Sequence, residues 1–480
     1  MTRSCSRSFV TAVCFAFFVF VLGADARAQA GGRRLSIRDA LALAERGSED
    51  VGIARTERRA RSGELRAARS GIFPRVSVSA SYERTLESEF EEVFAAAAGA
   101  DDAQTAAFEN LPFGRANTYR FGVSVQQNLF AGGGTIASIR RASASLRSAE
   151  LGITTARADA VYRVARAYYD AVLADTLVAI AEAALAQAER TLKQVRLEFE
   201  AGRQPEFEVL RAQVAVGVQR PILVRERMAR DLAYLELRRL LDLPRNEPLV
   251  LTSALEDADW QTVATTAREL AGVPPSRGER VAIEQARVAV DVGEEGVRAA
   301  RAGYFPNVSL YTSYERVAYP GDLVPSWDEF RTNWVAGVSL TWTPFDGLAT
   351  PANVATARAL SDQARLRLRQ ARELSVLEEE RVAHQLVAAR AAFDATAGVE
   401  QEAQRAYEIA ELRYQQGVST QLEVFDARLR AARAAAERAR AARDLIVASV
   451  ERALLPALPV VGATQAPRSS EAAPATFEPQ

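Results

Sequence analysis

The chain has 480 residues, 48% hydrophobic and 25% charged, with 60 Lys and Arg against 61 Asp and Glu and a formal net charge of -1. That balance speaks against a nucleic-acid partner, and the apolar content is too high for a disordered chain. Cys5 and Cys14 are the only cysteines and His384 the only histidine, which leaves no material for a disulfide framework, a Cys/His metal site or a histidine-based triad once the first 30 residues are removed.

Arg3 and Arg7 precede an apolar stretch from Phe9 to Leu22 and small-residue cleavage sites ending at Ala26 or Ala30. This is the layout of a secretory signal, and the stretch is short of the ~20 residues that a spanning helix needs. Neither cysteine stands at a cleavage point, so no lipid-modified N-terminus is expected. Beyond the signal no run of ~20 apolar residues is found, so strands must make any membrane crossing.

The remainder is a tandem duplication. Gly71-Ile72-Phe73-Pro74-Arg75-Val76-Ser77-Val78 is echoed by Gly303-Tyr304-Phe305-Pro306-Asn307-Val308-Ser309-Leu310, an offset of 232 residues. Gly122 to Phe130 is echoed by Gly337 to Phe345 at an offset of 215, and Phe199, Gly202, Glu208, Val209 and Ala212 by Tyr414, Gly417, Glu423, Val424 and Ala427 at the same offset. The 17-residue difference falls between Arg84 and Gly122, where the first repeat carries a loop insertion.

Within each repeat the hydrophobic period changes. Val76, Val78, Ala80 and Tyr82 alternate with Ser77, Ser79 and Ser81, the pattern of a half-buried strand. Phe121, Val123, Val125, Gln127 and Leu129 predict a second strand, and Val308 to Tyr314 and Val335 to Trp342 a third and fourth. Pro74 and Pro306 mark the entry from helix to strand, because the residue before a proline disfavours helical geometry. Thr135 to Glu200 and Pro351 to Gln416 have no internal proline after their starts and predict helices of roughly 100 Å. Shorter helices are expected over Ser36 to Ser70 and Pro205 to Leu241, each of roughly 50 Å. Leu185, Ala188, Leu192, Val195 and Phe199 step by three and four, as do Phe207, Leu210 and Val214, and Leu422, Phe425 and Leu429. An ordinary amphipathic core helix gives the same spacing, but the predicted length favours coiled-coil pairing. The expected organisation is a signal at 1–30, a first repeat at 31–242 with its β-hairpin over 76–130, and a connecting, equatorial region at 243–278. A second repeat follows at 279–455 with its hairpin over 307–343, then a disordered Pro- and Ala-rich tail at 456–480.

Four strands cannot close a membrane barrel, which needs at least ~8, so several copies must share one. Tyr82, Tyr119, Tyr319, Trp334 and Trp342 stand where interfacial aromatic belts would lie. Gly132-Gly133-Gly134 is not followed by the Lys-Ser/Thr of a phosphate loop and is read as a flexible joint. No catalytic residue, metal site or cofactor is expected.

Helix, Phe-Pro hairpin, long helix, Gly-broken turn and helix, then the same again, resembles the TolC-like outer-membrane factors over nearly all of the mature chain. The resemblance rests on Gly71 to Pro74 and Gly303 to Pro306 at the strand entries. It rests also on Asn128-Leu129-Phe130 and Thr343-Pro344-Phe345 at the exits, and on the turns at Gly202 and Gly417. It implies an α+β membrane protein: a homotrimer whose four strands per chain form a 12-stranded outer-membrane β-barrel, continuous with a periplasmic α-helical barrel of coiled-coil hairpins. It also implies a passive efflux channel, with Gly202 and Gly417 at the tips where a periplasmic membrane-fusion adaptor docks and links it to an inner-membrane pump of the RND or ABC type. Tyr414, Glu423 and Asp426 match the family's gating tyrosine and acidic constriction, and Glu208 an acid on the neighbouring hairpin; a gating Arg of the family is replaced by Ser419.

Independently of the family, Glu423 and Asp426 are three apart and share a helical face, so threefold symmetry would gather six carboxylates round one axis. Such a ring favours cations; a solvated acidic face near a helix start is the other reading. Two further functions stay open: an exit duct for type I protein secretion, which would use the same fold, and a periplasmic structural or adaptor coiled coil, which would have no reason to keep four alternating strands.

Overall fold

The structure is a computed structural model that describes residues 33–87, 116–255, 259–274, 278–320 and 323–460. The expected signal and most of the loop insertion lie outside the described residues. Among them the chain runs β1 (Arg33–Leu35), α1 (Ile37–Gly47), α2 (Glu49–Ser70), β2 (Arg75–Arg84), β3 (Asn117–Ala131), α3 (Gly134–Glu200) and α4 (Glu206–Leu240). Then follow β4 (Leu249–Leu251), α5 (Trp260–Leu270), α6 (Val281–Arg301), β5 (Asn307–Ala318), β6 (Arg331–Thr341), α7 (Ala349–Gln415) and α8 (Gln421–Leu454). Helices α3 and α7 each have 67 residues, about 100 Å at the α-helical rise. The single helix expected over 36–70 is two, because Ser48 takes an extended backbone, φ -64° and ψ 125°. Helix α4 continues through Pro221, which leaves one i→i−4 bond unmade.

The chain forms two compact units. The first comprises Met1–Gly52, Ala156–Arg277 and Glu378–Leu458. Its core gathers Leu35, Leu41, Tyr168, Tyr169, Leu237, Ile446 and Leu454. Here β1 pairs in parallel with β4, Leu35 opposite Leu251, and the buried Tyr168 hydroxyl donates to the Leu35 carbonyl at 3.0 Å. Helix α5 buries Val263 and Ala267, so much of the stretch between the repeats is packed structure rather than a free linker. Arg443 of the second repeat donates through Nε to Asp170 of the first at 2.7 Å. Residues 456–460, where a disordered tail is expected, are packed structure: the Ala457 and Leu458 N–H groups donate to the Leu454 carbonyl at 2.9 and 3.1 Å. Both side chains are buried, because apolar residues directly after α8 still have core to cover. Residues 461–480 lie outside the described set. Contrary to the sequence expectation, α3 does hold a stretch apolar and long enough to cross a membrane by composition alone. Only 28% of that stretch is buried among the described residues, so packing within this unit, as at Ala171 and Val178, accounts for part of its apolarity and not all.

The second unit comprises Ile53–Thr155, Gly278–Leu377 and Pro459–Gln480. It holds a four-stranded sheet in the order β2-β3-β5-β6, every neighbour antiparallel. The central β3–β5 pairing joins the hairpin of one repeat to that of the other and leaves β2 and β6 as edges. Register sorts the side chains onto two faces. Val78, Val123, Tyr314 and Trp334 lie in one row across the four strands, with Val76, Val125, Thr312 and Ala336 beside them. The opposite face carries Ser79, Gly122, Glu315 and Asn333 in one row and Ser77, Ser124, Ser313 and Val335 in the next. Ser77 and Ser124 share a hydrogen bond of 2.8 Å. A bulge between Asn128 and Phe130 shifts the register of β3, so Phe130 rather than Leu129 joins the apolar face, opposite Val308. Among the described residues nothing covers that face: Val76, Val78, Trp334, Val338 and Leu340 are 62% to 74% exposed. The ten residues of β2 would span about 25 Å when tilted as strands in a membrane barrel are.

Candidate constriction site at the hairpin turns

Within the first unit α3 returns as α4, and α7 as α8, through two turns built alike. After α3 the Gly202 N–H donates to the Phe199 carbonyl and the Arg203 N–H to the Glu198 carbonyl, both at 2.8 Å. After α7 Gly417 donates to Tyr414 and Val418 to Arg413, both at 2.9 Å. These paired bonds satisfy helix-end carbonyls and require a left-handed residue at the turn. Gly202 and Gly417 supply it with φ +70° and +75°, a conformation that costs a glycine nothing sterically.

The return helices start differently. Thr420 caps α8 by accepting from the Glu423 N–H at 3.3 Å, whereas Pro205 precedes α4 with no side-chain cap. Glu423 is exposed, and its Oε2 accepts from the Ser419 hydroxyl at 2.6 Å. Asp426, one turn on, is exposed and pairs with Arg430 at 2.8 Å. Glu208, at the position matching Glu423 in the first repeat, pairs with Arg211 at 3.2 Å. Arg211 thus stands where the second repeat has Asp426, so the acidic pair belongs to one repeat only.

Tyr414 is partly buried, and its hydroxyl titrates above the usual tyrosine range because of desolvation first and then the carboxylates of Glu198 and Glu208. The second hairpin's tyrosine therefore lies in the field of the first hairpin's acids. Among the described residues the hydroxyl makes no hydrogen bond to either. Gln187 donates to Glu411 at 2.9 Å and joins α3 to α7. Ala188, Ala212, Val424 and Phe425 line a small apolar cavity of about 200 Å³ among α3, α4 and α8.

Each acid singled out by the sequence is thus engaged with a side chain of its own hairpin, and among the described residues none is bonded across hairpins. The partners Ser419, Arg430 and Arg211 go beyond the sequence expectation, although spacings of three and four along a helix are a readable signal for them. Among the described residues no group of three or more His, Cys, Asp or Glu side chains is placed to hold a metal ion.

Residues 40–242 and 275–454 match the family described as outer membrane efflux protein. None of the curated proteins compared with the chain matches it. Its fold is similar to that of the outer membrane protein VceC of Vibrio cholerae, with a TM-score of 0.68 and 18% identity over 87% of this chain and 95% of that one. The Campylobacter jejuni CmeC outer membrane channel gives 0.70 and 17% over 88% and 86%. The Neisseria gonorrhoeae MtrE outer membrane channel in its open state gives 0.68 and 18% over 88% and 89%. With the family matched over both repeats, the chain belongs to the outer membrane efflux protein family.

Proposed function

We propose that three copies of the mature chain close one twelve-stranded barrel in the outer membrane. There they act as a passive duct that receives small molecules from a periplasmic adaptor and an inner-membrane pump. The observation that carries this reading is the sheet, which among the described residues is a single layer with one uncovered apolar face, one Ser-, Asn- and Glu-bearing face and two open edges. An apolar face left bare in water is unfavourable, and unpaired strand edges template association. A closed barrel with lipid outside and water inside removes both penalties. The same sheet argues against a periplasmic coiled coil that never enters a membrane.

The Gly202 and Gly417 turns are the adaptor-docking tips in this reading, and Glu423 and Asp426 the narrowest acidic ring, with Tyr414 and Glu208 beside it. No reaction step is assigned, because a duct needs none. Deleting the gene should raise the accumulation of a fluorescent efflux dye in cells, and complementation should reverse it. Unchanged dye accumulation with loss of a secreted protein would overturn small-molecule efflux in favour of a secretion duct.

A further inference from the structure

The stripe of α8 that begins with Glu423 and Asp426 does not stay acidic. Continuing at spacings of four, three and four come Arg430, Arg433 and Glu437, so one helical face reads acid, acid, base, base, acid. All five residues are exposed and line one groove with Glu402 of α7. At such spacing a seam meant to pack against another helix would be apolar; a fully charged one belongs in water. Arg430 holds Asp426 at 2.8 Å, and Glu437 is drawn to Arg440 at 2.6 Å. Arg433 has no ion pair or hydrogen bond among the described residues and presents a full positive charge to the groove.

We propose that Arg430 and Arg433 form a basic band in the pore next to the acidic ring, on the side away from the hairpin turn, so that the constriction carries both signs. This rests on the reading that Glu423 and Asp426 face the pore. The centres of the two bands are seven residues apart, about 10 Å along a helix, close to the Debye length at physiological salt. An ion in one band therefore still feels the other, and the basic band offsets much of the attraction that the carboxylates exert on cations. The solutes best matched to such a passage carry both charges, a cationic group for Glu423 and Asp426 and an anionic group for Arg430 and Arg433. A simple cation gains from one band and loses at the next.

Reversal potentials of the full-length mature protein in planar bilayers under a KCl gradient test this. The pairs lie on exposed helix, where each contributes little to stability, so Arg430→Gln with Arg433→Gln should assemble and conduct. Its cation-over-anion permeability ratio should rise roughly fivefold, the order expected when several unit charges are removed within about a Debye length of the ion. Asp426→Asn frees Arg430 and should lower the ratio more than Glu423→Gln does. If the arginine variant keeps the wild-type ratio while Glu423→Gln with Asp426→Asn changes it, the basic band is off the pore and the inference fails, with the acidic constriction left standing. If neither pair changes the ratio in a conducting channel, the pore-facing reading of the whole stripe fails.

Discussion

Placing a side chain at Gly202 or Gly417 tests whether the two turns act as rigid tips. A Cβ built at either position meets nothing within 4 Å, so the cost is purely that of holding φ near +70° and +75°. For an ordinary side chain in the left-handed region this is about 1–2 kcal/mol. Escaping it forfeits the two capping bonds of the turn, which contribute a net ~0.5–1.5 kcal/mol each. The two routes cost about the same for a linear side chain, so the turn survives under strain. A β-branched residue is a steric outlier there, and Val should abandon the turn. Asn tolerates the left-handed region through local hydrogen bonding and should keep it. Hydrogen exchange of the purified protein reads the difference: Val at either site should speed exchange of the turn amides roughly 5–30-fold, the equivalent of about 1–2 kcal/mol, and impair adaptor-dependent export with trimer assembly intact. Asn should stay near wild type in both. Val behaving like Asn in exchange and export would refute the reasoning.

Other outcomes follow from the same geometry. Replacing Glu423 by Gln and Asp426 by Asn should reduce cation selectivity and block by multivalent cations in planar bilayers; unchanged values would place both acids on a solvated outer face. Val78→Arg on the apolar face of β2 should cost about 2–4 kcal/mol of barrel stability if it meets the bilayer midplane and lower the yield of membrane-inserted protein. Ser77→Arg on the opposite face should be tolerated, and equal yields would contradict the assignment of faces. In the first unit burial raises the Asp175 carboxyl above its usual range, opposed chiefly by the Tyr234 hydroxyl, which donates to it at 2.5 Å. A raised carboxyl favours the fold when protonated and loses that contribution as pH rises through its folded pKa. Tyr234→Phe raises it further, so its destabilisation, about 1–2 kcal/mol, should be present at pH 7 and shrink toward pH 4. A melting-temperature difference independent of pH would contradict this.

The repeat offsets, the four strands, the two long helices and both glycine turns were legible because each rests on a local pattern: period two, period three to four, or a glycine breaking a helical run. What escaped depends on distance or on single residues. The β1–β4 pairing joins three-residue segments more than 200 positions apart in sequence, too short for any periodicity to reveal. The break at Ser48 and the bulge before Phe130 each turn on one residue. The Pro- and Ala-rich composition after 456 masks Ala457 and Leu458, which the end of α8 still buries. At the turns the residue types are readable, but which neighbours they pair with depends on side-chain rotamers that spacing alone does not fix. Arg430 pairs with Asp426 and Ser419 donates to Glu423.

The central claim is that four strands with two open edges are completed by other copies of the same chain. Light scattering of the mature protein extracted from the outer-membrane fraction, with the detergent contribution subtracted, measures this directly. The account predicts a protein mass three times that of the mature chain. A stable monomer with the sheet intact would contradict it.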